Sequence, residues 1–467
     1  MLPKENRIKE LLREKGLDGA IVSSPENFHY VTGFAGHQHT VSRQAGFSIA
    51  VVSAREDVPT QLTTMDFEVP TFEIKSAGRF IVRKYDTWVG VKTWDEIAHG
   101  AVVPAPAVME SSSDILAKMV REMDLADKKL GVELDYLPVG YYNNLCGMFP
   151  EAKFENISEL FVYARSVKTP EEIEMFRTLC RAADEGFTAV SRIARPGVSE
   201  RELVNEFRRT VIATGVAAPS AWSMFSTGES GSRLTIPGDA VIQKGDVVKF
   251  DAGVNAEFDF YTTDTSRAWV MEGADPALYK LKDRLYEAQR RMIAAAKPGL
   301  PINELYHIAY DYVKEMYPSY RRGHQGHSIS MGPATAEAPY INPTTTRPLE
   351  AGMVLAMEVP CYIGGVQGFN IEDMVLITED GCEVLTPNTP ITCKFPFSHS
   401  QAPIPPDPNR LFSRAAPPDR GQRRPKSHFS ERQGTFHENS DRGRCGRRRR
   451  HRCPAAPQRR KRPDHPV

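Results

Sequence analysis

Val247-Val248-Lys249-Phe250-Asp251-Ala252-Gly253-Val254, a short polar loop, and then Tyr261-Thr262-Thr263-Asp264-Thr265-Ser266-Arg267 decide how this chain is read. Both segments are rich in β-branched and aromatic residues, so two strands joined by the loop are expected. Alternate side chains of a strand share a face, and two neighbouring strands can therefore gather Asp251 and Asp264 on one face. Carboxylates crowded away from water invite either a shared proton or a cation. A cation needs further hard ligands, and the chain supplies candidates: His327 in Gly326-His327-Ser328-Ile329-Ser330, Glu358 in Ala356-Met357-Glu358-Val359-Pro360, and Glu372 in Asn370-Ile371-Glu372-Asp373-Met374. Both glutamates interrupt apolar runs, where an unpaired charge costs on the order of several kcal/mol. Metal coordination would remove that cost.

Outward from this stretch, strands are expected over 246–254, 260–270, 353–362 and 369–377, and helices over 200–214, 276–296 and 302–316. Thr169-Pro170-Glu171-Glu172 reads as a helix start: a hydroxyl cap, proline at the first helical position, and a glutamate three residues past the cap. Ile173, Phe176, Leu179, Cys180 and Ala183 then line one face. Helices followed by antiparallel strands, twice over, describe an α+β domain with an internal pseudo-repeat. Before it, a helix over 5–15, a strand over 18–22, a turn at Ser24-Pro25-Glu26-Asn27, a short apolar run at Phe28-His29-Tyr30-Val31 and a strand over 47–52 describe a small α/β domain. The expected organisation is 1–162, 163–396 and a tail, 397–467.

A chain of 467 residues exceeds one ordinary core, in keeping with that division. No apolar run is long enough to cross a bilayer, and the N-terminus lacks the features of a secretory signal, so no membrane association and a cytoplasmic location are expected. Cys146, Cys180, Cys361, Cys382, Cys393, Cys445 and Cys453 are scattered and never spaced as a zinc-binding pair, which reads as free thiols. The net charge of zero conceals an asymmetry: residues 401–467 hold 18 Lys and Arg against 6 Asp and Glu, leaving an acidic body and a basic tail. The tail is dominated by Pro, Arg, Gly and Ser and is expected to be disordered. Arg447-Arg448-Arg449-Arg450 and Arg459-Arg460-Lys461-Arg462 have the composition of nucleic-acid patches. The plainer reading is an extension without function, and no nucleic-acid partner is expected.

The ordered set Asp251, Asp264, His327, Glu358 and Glu372 resembles the ligand set of the "pita-bread" metallohydrolases, which include prolidase, aminopeptidase P, methionine aminopeptidase and creatinase. Arg165-Ser166-Val167-Lys168-Thr169-Pro170-Glu171-Glu172-Ile173 is similar to the opening of that catalytic domain. Gly16-Leu17-Asp18 through Tyr30-Val31-Thr32-Gly33-Phe34 resembles a creatinase-type N-terminal domain. The resemblance covers residues 5 to 395. It implies two divalent metal ions, commonly manganese, cobalt, zinc or iron, bridged by a hydroxide, with Glu372 bridging both. Glu358 would ligate one ion and shuttle a proton from attacking water to leaving nitrogen. The implied activity is hydrolysis of a C–N bond in a small molecule or short peptide, as in an Xaa-Pro dipeptidase or aminopeptidase, by a homodimer.

The chain also departs from that pattern. The family's peptidases carry one histidine ahead of the first aspartate, in a His-x-x-Pro-like segment, and another after the metal histidine, before Glu-x-Pro. Here those segments read Arg233-Leu234-Thr235-Ile236-Pro237 and Thr335-Ala336-Glu337-Ala338-Pro339, without histidine. The interval from Asp251 to Asp264 is about two residues longer than usual, and Lys249 stands where an apolar residue is usual. His324 is a candidate catalytic replacement, with a surface histidine beside Arg321 and Arg322 as the alternative. His324 in place of His327 as ligand is the less favoured register. His37 and His39 are open to two readings, loop decoration or a reach into a partner's site. Trp222, Met224 and Phe225 are open to pocket lining or core packing. Two further readings keep the fold: a creatinase-like amidinohydrolase or lyase acting on a non-peptide substrate, and a non-catalytic binding protein.

Overall fold

The structure is a computed structural model that describes residues 3–87, 92–102, 109–234, 236–256, 259–332 and 335–388. The basic tail lies outside the described residues.

The N-terminal part is built on six strands: β1 (Gly19–Val22), β2 (Ile49–Ser53), β3 (Gln61–Met65), β4 (Ile81–Tyr85), β5 (Lys129–Val132) and β6 (Lys153–Asn156). Their order is β4-β3-β2-β1-β5-β6, with β1 antiparallel to β2 and parallel to β5. The central strands β1 and β2 are buried along their whole length, as apolar runs without alternation require. The sequence reading put a turn at Ser24–Asn27. The structure instead begins a helix there, Pro25–Thr32, because the Ser24 hydroxyl accepts the Asn27 amide and proline fits the first helical position.

The helix Ser158–Ser166 contains the 162/163 division expected from the sequence, and it leads to the cap at Thr169. There the Thr169 amide donates to the Glu172 carboxylate at 2.8 Å, and the Glu172 amide donates back to the Thr169 hydroxyl at 3.3 Å. The reciprocal cap starts the long helix Pro170–Ile193, followed by Glu200–Ala213.

The second part contributes β7 (Ala218–Pro219), β8 (Met224–Thr227), β9 (Val247–Ala252), β10 (Val254–Asn255) and β11 (Thr265–Val270) after this first helix pair. A second helix pair, Pro276–Ala295 and Ile302–Met316, is followed by β12 (Gly326–Ser328), β13 (Glu337–Tyr340), β14 (Val354–Glu358), β15 (Cys361–Ile363), β16 (Gln367–Phe369), β17 (Glu372–Ile377) and β18 (Cys382–Val384). Helix pair then strands, twice, is the pseudo-repeat expected from the sequence. One antiparallel sheet joins both halves in the order β13-β12-β14-β17-β11-β9-β8, with β18 beside β17.

Each helix pair covers its own half of this sheet. Phe176, Phe187 and Phe207 pack on Phe225, Phe250 and Trp269, and the Phe187 and Phe250 rings meet edge to face at 4.9 Å. Leu285, Met292, Leu305 and Val313 pack on Leu355, Met357 and Val375. Phe250 neighbours Asp251 in sequence, so its face of β9 is the one turned away from that carboxylate. The apolar core that fixes the strand thereby fixes the direction in which the carboxylate points.

The same core runs unbroken into the N-terminal part through Ile8, Leu12, Phe28, Tyr30 and Phe161. Polar bridges reinforce the join. The Lys4 ammonium meets the Tyr261 hydroxyl at 2.7 Å and Glu172 at 3.2 Å, Arg165 pairs with Glu337 at 2.7 Å, and His29 faces Asp259 at 3.2 Å.

Phe250→Ala is expected to lower stability by about 3 to 5 kcal/mol, through lost burial and the cavity left under β9. A denaturation midpoint unchanged from the parent would show that the aromatic cluster does not hold the strand.

Candidate metal centre

The sheet register places the five expected ligands. Asp251 on β9 lies opposite Ser266 on β11, Ser266 lies opposite Glu372 on β17, and Glu372 lies opposite Glu358 on β14. Residues directly opposite across a ladder share a face, so the three carboxylates form a single row. Asp264 comes two residues before Ser266, and His327 on β12 lies opposite Ala356, two residues before Glu358. Period-two alternation puts both on the same face as the row.

Side-chain distances agree with this register. The His327 Nε2 stands 3.6 Å from Asp264 Oδ2 and 4.0 Å from Glu372 Oε1. The ligand atoms of Asp264, His327 and Glu372 all lie within 4.8 Å of one another. Asp251 and Glu358 flank this triad rather than join it. Asp251 Oδ2 accepts a hydrogen bond from Asn370 Nδ2 at 3.2 Å, and Glu358 Oε1 accepts one from Arg322 Nη2 at 2.5 Å. His327 is positioned by the glycine before it: Gly326 has φ of +135°, and a Cβ there would stand 2.2 Å from the Ala356 carbonyl oxygen.

All five residues are buried, and burial shifts the titration of Asp251, Asp264, Glu372 and His327. It pushes the Asp251 carboxyl up to about 6, aided by the charge of Glu358. Asp264 and Glu372 are raised well above the ordinary carboxylate range, first by burial and then by neighbouring carboxylates. Burial draws His327 down, which keeps its imidazole neutral and able to donate a lone pair. Asp264 Oδ1 and Glu372 Oε2 are buried and have no hydrogen-bond partner among the described residues. Buried carboxylate oxygens without donors, beside a neutral imidazole, are a donor set that suits hard or borderline divalent cations. The residues fit a metal centre.

His324 is half-buried, and its Nδ1 lies 3.4 Å from Glu358 Oε1, so it faces the site rather than decorating the surface. Burial and the adjacent Arg322 both lower its proton affinity. Met224 lies opposite Asp251 and lines the row, whereas Phe225, one residue on, belongs to the core. His39 is buried, with its Nε2 2.8 Å from the Ser23 carbonyl, so the reading in which it reaches a partner's site is overturned: the ring is spent inside its own domain. His37 is exposed.

Several contributors escaped the sequence reading. Arg267 is wholly buried; its guanidinium donates to the Glu372 carbonyl at 2.6 Å, to Asp373 at 3.0 Å and to the Thr386 carbonyl at 2.7 Å. Gln289 adds a bond to Asp373 at 3.2 Å. Asp373 sits one residue past Glu372, on the opposite face, and this network holds β17 from behind. The one signal in the sequence was a second acid, Asp373, in an apolar strand. Arg322 and Asn370 touch Glu358 and Asp251 from loops, where periodicity gives no guide.

Comparison with known proteins accords with this geometry. Residues 174–379 match the model of metallopeptidase family M24, and residues 5–167 match the creatinase/prolidase N-terminal domain. An uncharacterized peptidase of Staphylococcus aureus is 30% identical over 260 residues, which is 55% of this chain and 73% of that one. The uncharacterized peptidase YqhT of Bacillus subtilis is 27% identical over 388 residues, 82% of this chain and 97% of its own. Among solved structures, the Xaa-Pro dipeptidase from Bacillus anthracis superposes with a TM-score of 0.69 at 26% identity, covering 84% of this chain and 99% of that one. The X-Pro aminopeptidase from Thermotoga maritima gives 0.65 at 23% identity, covering 83% and 99%, a likeness of fold. A creatinase-type N-terminal domain, a doubled helix-and-strand catalytic domain and a buried carboxylate–histidine centre thus coincide in one chain, which belongs to metallopeptidase family M24, a family of dinuclear metal-dependent hydrolases.

Proposed function

We propose that this hydrolase cleaves the C–N bond of a short peptide of the Xaa-Pro type, with Asp251, Asp264, His327, Glu358 and Glu372 holding two divalent ions drawn from manganese, cobalt, zinc or iron. The observation that carries the reading is the meeting of Asp264, His327 and Glu372 within 4.8 Å, on the face that also presents Asp251 and Glu358. The resemblance in structure to an Xaa-Pro dipeptidase supports the substrate class. Residues 1–162 and 163–396 are taken as the N-terminal and catalytic units, and the working form as a cytoplasmic homodimer.

The ions supply Lewis acidity toward a carbonyl oxygen and toward water. This chain's own residues do the rest. Glu358 is placed to accept a proton and return it to the leaving nitrogen, and Arg322 fixes its orientation through a charge-assisted bond. His324, on the same Glu358 oxygen, takes part of the role that histidines of the 233–237 and 335–339 segments would fill in the family's peptidases. Because those segments carry no histidine, a second reading is retained: a creatinase-like amidinohydrolase or lyase acting on a non-peptide amide.

Purified chain grown with each ion is expected to hold close to two metals by elemental mass spectrometry and to release proline from Ala-Pro. Two metals without dipeptide turnover would favour a non-peptide substrate, and no metal under any condition would remove the metallohydrolase reading and leave a creatinase-like or binding role. Glu358→Gln is expected to lower kcat about a hundredfold or more, in line with the loss of a general acid–base group; a kcat within a factor of three would exclude Glu358 from proton transfer.

Metal-free protein has a defined pH response. The folded chain binds a proton at Asp251 more tightly than the unfolded chain does, with a pKa of about 6 against an unfolded value near 4. Asp251 therefore destabilises the metal-free fold increasingly as pH rises through that window. Asp251→Asn should raise the metal-free Tm at pH 7.5 and leave it unchanged near pH 4. The Tm gain on adding manganese to the parent should be larger at pH 7.5 than at pH 5. A gain independent of pH would count against carboxylate ligation.

A further inference from the structure

Lys249 precedes Asp251 by two residues on β9, so its side chain lies on the ligand-bearing face, between Ser226 on β8 and Ala268 on β11. It is fully buried. An ammonium carries three protons. Among the described residues, one goes to the Arg233 carbonyl at 3.0 Å, and the group stands 4.6 Å from the centroid of the Tyr362 ring. Proton donors are thus left over in a nearly dry setting, which is costly unless a ligand takes them.

Tyr362, on β15, is the aromatic neighbour of this ammonium. Its hydroxyl makes no hydrogen bond among the described residues, and the side chain senses the charges of Asp251, Glu358 and Arg322. Arg322 is about a quarter exposed and bonded through one nitrogen to Glu358. Lys249, Tyr362 and Arg322 therefore form a donor-rich flank along a centre that is otherwise acidic. Arg233, whose carbonyl meets the lysine, opens the 233–237 stretch that differs from the family's peptidase pattern, and Leu234 and Ile236 are exposed. A donor flank under an altered loop is placed to select substrate rather than to stabilise the sheet, because Phe250 and its ring cluster already anchor β9 from behind.

We propose that Lys249, with the Tyr362 hydroxyl and Arg322 beside it, is an anion subsite that holds a carboxylate of the substrate while the amide bond lies over the metal centre. The inference rests on the hydrolase reading above and narrows its substrate to short amides or peptides bearing an acidic group. That group is either the main-chain carboxylate or an acidic side chain.

The test uses the full, metal-loaded chain and three substrates: Ala-Pro, its neutral C-terminal amide, and Asp-Pro amide, whose acid is a side chain. Lys249→Met should raise KM about ten- to a hundredfold for the substrate whose carboxylate occupies the subsite, the range for one lost charge-assisted bond. KM for the neutral amide and all kcat values should stay within threefold. A selective rise for Ala-Pro identifies the main-chain carboxylate, and a selective rise for Asp-Pro amide identifies the side chain. Tyr362→Phe, which leaves the strand and the lysine in place, should raise the same KM by a smaller factor and serves if Lys249→Met does not fold. An equal change for all three substrates would reduce Lys249 to support for Asp251 and overturn the proposal. Should the parent enzyme hydrolyse none of them, the hydrolase reading for peptides fails separately. Calorimetric titration with proline against prolinamide then still reads the subsite. Preference for proline that Lys249→Met abolishes sustains it, and equal or absent binding overturns it.

Discussion

Like-charge crowding is the constraint on which the rest of this structure depends. Asp251, Asp264, Glu358 and Glu372 share one face of one sheet, and each is less than a tenth exposed. In so dry a setting their mutual repulsion and lost hydration oppose folding unless positive charge enters. The chain supplies some of it through Arg322 and Lys249, but Asp264 Oδ1 and Glu372 Oε2 stay without a hydrogen-bond partner among the described residues. A sheet that holds such a cluster must have its register fixed, since a slip of one residue would turn every ligand on that strand to the opposite face.

Distant parts of the molecule serve that requirement. Helices capped at Thr169 and Ser199 place Phe187 and Phe207 under β9, and the second helix pair repeats the arrangement under β14 and β17. Arg267 grips the backbone of Glu372 from behind the sheet. The helix that spans the domain division adds its own hold: Arg165 bonds Glu337 on β13, the neighbour of the strand that carries His327. Lys4 closes a triangle with Glu172 and Tyr261, which ties the first helix of the chain to the segment leading into Asp264.

The departures from the family's peptidase pattern acquire a physical sense in this frame. Where the histidines are missing, the centre has cationic and donor groups nearby: Arg322 and His324 on Glu358, and Lys249 on the strand of Asp251. Imidazole can hold a carbonyl oxygen without adding net charge, whereas ammonium and guanidinium groups alter the field over the whole cleft. The candidate acidic ligands match the family's order, while the segments at 233–237 and 335–339 depart from it.

The candidate ligands were legible in the sequence because charged residues in apolar strands are conspicuous, and because order along the chain survives folding. The helix pairs and most strands were legible for a similar reason: caps and hydrophobic periodicity are local. The turn at Ser24–Asn27 was misread, since a proline after serine opens a turn and a helix alike; the Ser24 cap starts the helix, and Pro25–Thr32 is then buried along its whole length. Arg267, Asn370 and Arg322 were not legible as parts of the centre. Their partners lie far away in sequence or in loops without periodicity, and a long polar side chain states nothing about what it will meet. The sequence by itself singled out the candidate ligands and most of the elements on which they stand. Tertiary structure alone decided that Asp264, His327 and Glu372 converge while Asp251 and Glu358 flank them, because such distances are set by cross-strand register and by packing behind the sheet, not by spacing along the chain.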